Sequence, residues 1–457
     1  MTLWEYVKSK MLEHPSQTVC ENNASMTYEE LCIYAEARAQ RLNKKSYTIL
    51  CHSEMASALA LLSCIAAGKT AIPLPLRYGG QYCKKLLDFT KDSALITDIA
   101  GFSYEYAILS ENIKESHQDE AVVILYTSGS TGTPKGIMLS EKNLICNIED
   151  IRTYFPVTSN DTILISRPLY HSSVLTGEFL VSLCSGAKII FTSESFQPLN
   201  IIKLLKENNV TVFGSTPTLI TTLSRFVRNP KDLCVRLLSV SGECITEGMA
   251  KTIRKAFPDA AVYCGYGLSE ASPRVAYLSA ENFDEAPTCA GLPLPSVRIR
   301  IARADGKDAA RGEIGEVLVK GDNVMIGYFN DAKRTKNTVR NGWLHTGDLG
   351  YINKGGMLYI KGRKDDMIIR AGMNIYPAEI ENVLSADNRI RDIQVYGYEK
   401  NDTQEIGMTV SGDFTSSDEV MMMCRQQLPS YQVPSKIDLV DEIEKNVGGK
   451  RKRRITI

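Results

Sequence analysis

Long apolar runs are missing from this chain of 457 residues. No stretch of about 18 uninterrupted apolar residues occurs, so no helical membrane span is expected. Net charge is missing as well: 53 Lys plus Arg balance 53 Asp plus Glu. That balance argues against bulk nucleic acid or an anionic membrane as the main partner. The 12 cysteines form no CxxC pair and do not cluster with histidine. Scattered thiols of this kind belong to the reduced core of a cytoplasmic protein. Histidine is scarce, and the five residues (His14, His52, His117, His171, His345) are too dispersed for a zinc site. The first residues lack the charged-then-apolar design of a secretory signal. Internal repeats and low-complexity linkers are absent too. What remains is a chain 44% hydrophobic, ample for two or three domains at roughly 150 residues each.

The densest chemistry lies in residues 126–136, Tyr-Thr-Ser-Gly-Ser-Thr-Gly-Thr-Pro-Lys-Gly. The apolar run Ala121 to Leu125 before it reads as a buried strand. Glycines let backbone N–H groups approach an anion closely, hydroxyls add donors, and Lys135 adds a point charge. No GxxxxGK[ST] can be read through the stretch, so it is not the common P-loop. Taken alone, it is a phosphate cradle or a surface turn rich in serine and glycine.

Periodicity places the rest. Thr27-Tyr-Glu-Glu30 is a capping box before an amphipathic helix reaching Leu42. Strand Tyr47 to Cys51, a helix capped by Ser53 and ended by Gly68, and a strand at Ala71 make a parallel βαβ unit. Ser140 caps the next helix. Strands at Ala94–Thr97, Ala187–Phe191, Val210–Phe213, Leu237–Ser241, Ala261–Cys264 and Val297–Ala302 continue the series. This predicts α/β architecture with mostly parallel sheets to about residue 364. Gly342-Trp-Leu-His-Thr-Gly-Asp348 reads as a glycine-bounded turn, and Gly362-Arg-Lys-Asp-Asp366 as a charged connection. Beyond it lies a separate strand–helix order, with helices at Pro377–Ser385 and Ser417–Leu428 and strands at Ile393–Tyr398, Ile406–Val410 and Lys436–Val440. We place a domain boundary near Lys364-Asp365, giving a large domain over 1–364 and a small one over 365–457.

Four further stretches carry chemistry. Cys264-Gly-Tyr-Gly-Leu-Ser-Glu270 combines an aromatic face that can stack on a purine with a Ser/Glu pair suited to magnesium beside phosphates. Thr346-Gly-Asp348 offers a carboxylate able to accept two ribose hydroxyls. Gly362-Arg-Lys-Asp365 puts Arg363 beside the boundary. Asn446-Val-Gly-Gly-Lys450 ends in a lysine and runs into Arg451-Lys452-Arg453-Arg454. Singly, these are two ordinary turns, a solvated arginine and a basic tail.

Together, in this order and spacing, the five stretches resemble the acyl-adenylate-forming superfamily: acyl-CoA synthetases, aryl-acid ligases and adenylation domains of nonribosomal peptide synthesis. The likeness spans nearly the whole chain. It implies a large multi-sheet N-terminal domain and a small mobile α+β C-terminal domain. It also implies two half-reactions: a carboxylic acid attacks Mg·ATP to give acyl-AMP, and a thiol then takes the acyl group. Carried over by position, Thr127, Ser128, Gly129, Ser130, Thr131, Gly132 and Lys135 match the loop that holds the β- and γ-phosphates. Tyr266 matches the adenine-stacking aromatic, with Gly267 beside it, and Ser269 the residue near the α-phosphate. Glu270 matches the magnesium ligand. Gly242 and Glu243 flank adenine and the acyl pocket, and Asp348 with Arg363 match the ribose pair. Asp365 matches the hinge. Lys450, Glu270 and His171 match catalytic positions, Lys450 bridging the acid carboxylate and the α-phosphate.

Two departures stand out. Ala371-Gly372 replaces the usual Gly-Gly near the thiol arm, and Cys264 stands where many members carry Asn or Gln to bond adenine, which predicts weaker adenine selectivity. Pro168-Leu-Tyr-His171 resembles the acid-pocket segment of acyl- and aryl-CoA ligases. Amino-acid adenylation domains place an aspartate at that position, and without it an α-ammonium would be buried unpaired. A non-amino carboxylic acid is therefore expected, compact rather than long-chained, in a wall of His171, Ser172, Leu175, Ser239, Ser241, Gly265 and Pro273. The alternative is a stand-alone amino-acid adenylation enzyme loading a peptidyl carrier. No carrier attachment motif follows the small domain, so the acceptor is expected to be external: coenzyme A, or the phosphopantetheine arm of a separate carrier protein.

Overall fold

The capping box at Thr27 forms in the computed structural model. The Thr27 hydroxyl accepts from the Glu30 N–H, the Glu30 carboxylate accepts from the Thr27 N–H at 2.8 Å, and helix Tyr28–Ala39 follows. The structure describes residues 1–457 other than 75, 77–79, 91–92, 99–105, 110–119, 129–133, 195, 371–372, 401–402 and 445–457. Ser53 caps helix Glu54–Ala66 as expected, and Gly68 takes the left-handed conformation just past its end. That helix is buried nearly all round and is apolar on every face, which suits the middle of a layered core.

Among the described residues, two large sheets dominate. The nine-stranded sheet runs in parallel from Thr18–Glu21 through Lys188–Phe191, Thr162–Ile165, Val212–Ser215 and Leu237–Ser241 to Ala261–Gly267. Antiparallel strands close it at both edges. The seven-stranded sheet is parallel in its middle, at Ala94–Asp98, Ser46–Ile49, Thr70–Pro73 and Val123–Ser128. Pro134–Leu139 returns antiparallel beside Val123–Ser128 and pairs Thr127 with Lys135. The stretch at 126–136 is therefore framed by a β-hairpin.

The expected parallel series stops at Val297–Ala302. That strand opens a third sheet, wholly antiparallel, with Gly315–Gly321, Trp343–Ile352, Val339–Arg340 and Leu358–Arg363. No helix stands between Val297–Ala302 and Gly315–Gly321 to cover a crossover, and such a link suits antiparallel return. The glycine-bounded turn at Gly342–Asp348 is likewise corrected: Gly342 turns, but Trp343 to Ile352 is one continuous strand. Its alternation of half-buried and buried residues is the strand signal that the glycines masked.

Beyond Asp366, Ile368, Ile375, Ile380, Ile393, Met408 and Met423 belong to a core whose members all follow that residue. The segment carries a hairpin, Ile368–Arg370 with Met373–Ile375, and a three-stranded sheet. Its helix Pro377–Leu384 meets the larger part through polar groups. Asn382 Oδ1 accepts from the Glu247 N–H at 3.1 Å, the Arg225 guanidinium donates to the Arg391 carbonyl at 2.7 Å, and Lys361 pairs with Glu379 at 2.6 Å.

Candidate active site

The hairpin at 123–139 positions Lys135 at the edge of a buried charge cluster. Its Nζ donates to Glu270 Oε1 at 2.7 Å, and the Tyr328 hydroxyl donates to the same oxygen at 2.9 Å. Lys135 also stands 5.2 Å from the Tyr328 ring centroid, within cation–π reach. Glu270 is only 8% exposed. Burial pushes its carboxyl up, but the Lys135 charge and the hydrogen bonds from Lys135 and Tyr328 more than offset that and hold it below the usual carboxylate range. Tyr328 carried no sequence signal. It arrives because the short strand Gly327–Tyr328 pairs with Ile137 and Met138. Thr127 faces Lys135 across the ladder.

A second cluster joins three expected residues. The Tyr266 hydroxyl donates to Asp348 Oδ2 at 2.6 Å, and Arg363 Nη1 donates to Asp348 Oδ1 at 2.9 Å. Asp348 and Arg363 are cross-strand partners, which is why their spacing of 15 residues brings them together. Arg363 Nη1 also reaches the Thr346 carbonyl at 2.8 Å, and the Thr346 hydroxyl is tied to Val317 and to the Asp348 N–H. Gly347 has φ +71°, and a Cβ there would sit 3.0 Å from Arg363 Nη2, so the turn of the strand at this point requires glycine. Burial, followed by the nearby Asp348 charge, pushes the Tyr266 hydroxyl well above its ordinary value, so it serves as a donor.

Several of the remaining expected residues, among them Ser241, Gly242, Glu243 and Ser269, lie at or just past the carboxyl ends of the parallel strands, where ligands of open α/β sheets bind. The Ser172 and Ser269 hydroxyls are hydrogen-bonded at 2.9 Å, linking the expected acid wall to the expected α-phosphate position. His171 is half-buried at the entry of the short helix beginning at Ser172, its ring edge against Tyr170. Leu175 is fully buried at the start of the wide-turned π-helix Leu175–Leu180. Ser239, Ser241 and Gly265 share adjacent strands, Ser241 pairing with Gly265. Pro273 is buried, and its carbonyl would clash with any Cβ on Gly267. Gly242 has φ +98°, and Glu243 beside it accepts from the Thr218 N–H at 3.3 Å. Cys264 points into the opposite core, where burial pushes its thiol up to about 12. Asp365 is exposed in the turn Lys364–Asp366. Gly129, Ser130, Thr131, Gly132, Ala371, Gly372, Lys450 and the basic run after it lie outside the described residues, as does the side chain of Ser128.

One cleft of about 740 Å³ is lined by the first cluster and, from the second, by Thr346, Gly347 and Arg363. Lys135, Glu270 and Tyr328 line it together with Arg363, and Asn374 and Tyr376 from the segment beyond the boundary complete its wall. Among the described residues no group of three or more metal-ligating side chains is assembled, and no helix is long and apolar enough to cross a membrane.

Comparison with known proteins agrees with this geometry. Residues 7–329 match the AMP-binding enzyme family and residues 379–450 the AMP-binding enzyme C-terminal domain. A 2-succinylbenzoate–CoA ligase of Bacillus velezensis is 30% identical over 460 aligned positions, covering 94% of this chain and 92% of that protein. A feruloyl-CoA synthase of Amycolatopsis is 32% identical over 73% of this chain and 68% of its own length. Among solved structures, O-succinylbenzoate coenzyme A synthetase from Bacillus subtilis in complex with ATP and magnesium superposes with a TM-score of 0.83 at 27% identity, covering 98% of both chains.

Proposed function

The chain belongs to the AMP-binding enzyme family and is an AMP-forming ligase of the acyl-adenylate-forming superfamily, and we propose that it joins a small carboxylic acid to coenzyme A in two steps. The observation that carries this reading is the shared cleft: a phosphate-type cluster around Lys135 and Glu270 lines it together with Arg363, which is paired with Asp348 in a ribose-type cluster.

In the first step the acid carboxylate attacks the α-phosphate of Mg·ATP and pyrophosphate leaves. Both reactants are anionic, so the site must supply positive charge where it accumulates at phosphorus. Lys135 and Glu270 neutralise one another before ATP arrives. Lys135, with Thr127 and residues 128–132, would hold the β- and γ-phosphates of the bound nucleotide, and Glu270 would then be free to hold the magnesium that accompanies it. An ionised, buried oxygen donor beside a phosphate-binding lysine fits such a hard cation. Tyr266 and Gly267 hold adenine with the segment Gly242-Glu243, while Asp348 and Arg363 hold the ribose. Ser269 stands by the α-phosphate, His171 orients the acid, and Lys450 bridges the acid carboxylate and the α-phosphate.

In the second step the small domain, residues 365–457, turns about Asp365. Lys450 withdraws and a thiol reaches the acyl-AMP. The relatives are CoA ligases, which favours coenzyme A over a carrier-bound arm. No disulfide joins any of the twelve cysteines, which supports a reducing, cytoplasmic setting.

ATP–pyrophosphate exchange over a panel of acids tests the reading. Exchange with simple carboxylic acids, followed by thioester formation with coenzyme A, is expected. Exchange confined to free amino acids, or transfer only to a carrier protein, would overturn the choice of substrate or acceptor.

A further inference from the structure

One face of the nine-stranded sheet is only partly covered in its middle, where Tyr154 and Phe155 pack against Tyr263. Along Ala261–Gly267, Val262 and Cys264 are buried, whereas Tyr263 and Gly265 on the opposite face are partly exposed, as are Tyr266 and Gly267 where the ladder shifts register. Ser239, which pairs with Tyr263, is partly exposed as well. Central parallel strands covered on both faces would be buried throughout. A trough therefore runs along this face, floored by Ser239 and Gly265 and walled by Tyr263 and Tyr277.

A charged cluster lies at the side of the trough, where the antiparallel strand Arg274–Leu278 pairs with Ala261–Gly267. Arg274, 4% exposed, lies across two glycines: a Cβ on Gly265 would come 2.9 Å from its Nε, and one on Gly177 3.2 Å from its Nη2. Glu178 lies across Gly214 in the same way, at 2.9 Å. Arg167 pairs with Glu178 at 2.5 Å. Side chains at these three glycine positions would crowd the charged groups. Two guanidiniums against one carboxylate leave one positive charge in excess. Protonation of Glu178 would only enlarge that excess. Among the described residues, Arg167 holds the paired position on Glu178, and Arg274 has no carboxylate within ion-pair distance. Its charge faces the hydroxyl of Tyr154, which stacks on Tyr277 at 3.9 Å between ring centroids. The hydroxyl of Thr176 and Oε2 of Glu178, on the helical turn against Arg274, are buried without hydrogen-bond partners among the described residues.

An unpaired buried charge is costly in a finished core and useful in a pocket whose ligand completes it. We propose that the acid accepted by this enzyme carries a second carboxylate, which pairs with Arg274 in the trough while the first faces ATP. Arg274 is then a specificity residue that selects dicarboxylic acids, an inference that rests on the ligase reading above. The same excess cation disfavours a free amino acid with its ammonium turned into this pocket.

The test is pyrophosphate exchange by the full-length enzyme on matched acids: glutarate against valerate, adipate against hexanoate, phthalate against benzoate. The wild type is expected to favour the better dicarboxylic member over its partner by about tenfold or more in kcat/KM, the weight of one charge-assisted contact. Arg274→Met is expected to erase that preference through KM for the dicarboxylic acid, with exchange on the monocarboxylic partner retained. A wild type that uses the monocarboxylic partners equally well overturns the proposal, as does an unchanged ratio in Arg274→Met that still melts higher with ATP. Should Arg274→Met fail to fold, the wild-type ratio together with Arg274→Lys decides, since the lysine variant is expected to keep part of the preference. Absence of exchange with every acid, dicarboxylic, monocarboxylic or amino, would overturn the ligase reading itself and the inference with it.

Discussion

Glu270 and Glu178 are both buried glutamates paired with a cation, and their surroundings shift them in opposite directions. Glu178 is 2% exposed and Glu270 8%, so burial works against both. At Glu270, the Lys135 charge, with hydrogen bonds from Lys135 and Tyr328 that converge on one oxygen, holds the carboxyl down. At Glu178, burial dominates, Arg167 and Arg274 offset only part of it, and Oε2 has no partner among the described residues. The first cluster is balanced, and in the proposed reaction it exchanges partners when nucleotide enters. The second is left one positive charge over and is completed from outside. The direction of each shift is thus set by the balance of burial against the nearby charge and the hydrogen bonds that reach the carboxylate.

The largest effect that would sharpen this contrast lies in neither cluster. If the nucleotide end is balanced in itself, positive charge for the attacking carboxylate comes from Lys450. Lys450→Ala is expected to slow exchange by about 10²–10³-fold, as loss of a preorganised donor does elsewhere, while ATP still raises the melting temperature. Exchange near the wild-type rate in that variant would move the duty to another group. Next come the glutamates themselves. Glu270→Gln is expected to raise KM for ATP by about tenfold or more without altering the ranking of acids, whereas Glu178→Gln alters acid selectivity and leaves KM for ATP alone. The same response from both variants would break the comparison.

Asp365→Pro is expected to leave exchange intact and to slow thioester formation by about tenfold, measured by single-turnover transfer to coenzyme A, because proline fixes the backbone that must turn. Equal effects on both steps would remove Asp365 as the hinge.

The smallest effect is on stability against pH. Glu270 has a folded value below its ordinary 4.5, so its contribution is present above that range and lost as pH falls through the lowered value. Glu178 has a folded value above 4.5, so the native state holds that proton more tightly, and stability declines as pH rises from 4.5 through the raised value. Thermal melts from about pH 3.5 to 7 should therefore show Glu270→Gln flattening the acid limb and Glu178→Gln removing the decline above it. Curves altered in the same sense would refute the opposed shifts.

The nucleotide side was largely legible in the sequence because its parts are local. Tyr266, Asp348 and Arg363 sit in short glycine-marked stretches, and pairing Trp343–Ile352 with Leu358–Arg363 brings the last two face to face. Those glycines also misled, since Gly347 reads as a turn yet lies inside a continuous strand. Tyr328 could not be read, because its place depends on a strand pairing across nearly 200 residues. The cluster of Arg167, Glu178 and Arg274 was hidden for a similar reason: three segments supply it. A faint signal existed, since Arg274 opens an otherwise apolar strand and a charge there needs a reason. The α/β pattern gave both parallel sheets but not the antiparallel one at 297–363, where glycine-marked returns stand in place of crossover helices.

The apolar side chains beyond Asp366 close on one another. Among the described residues, the polar contacts between that segment and the larger part include the Glu247 N–H donating to Asn382, the Arg225 guanidinium donating to the Arg391 carbonyl, and the ion pair of Lys361 with Glu379. Water can replace each of these partners as the surfaces separate. On the proposed cycle, turning the segment would leave this core sealed, and the swing would resemble the undocking of a wetted surface more than partial melting. Such a joint can cycle at every turnover without presenting a sticky intermediate to other chains.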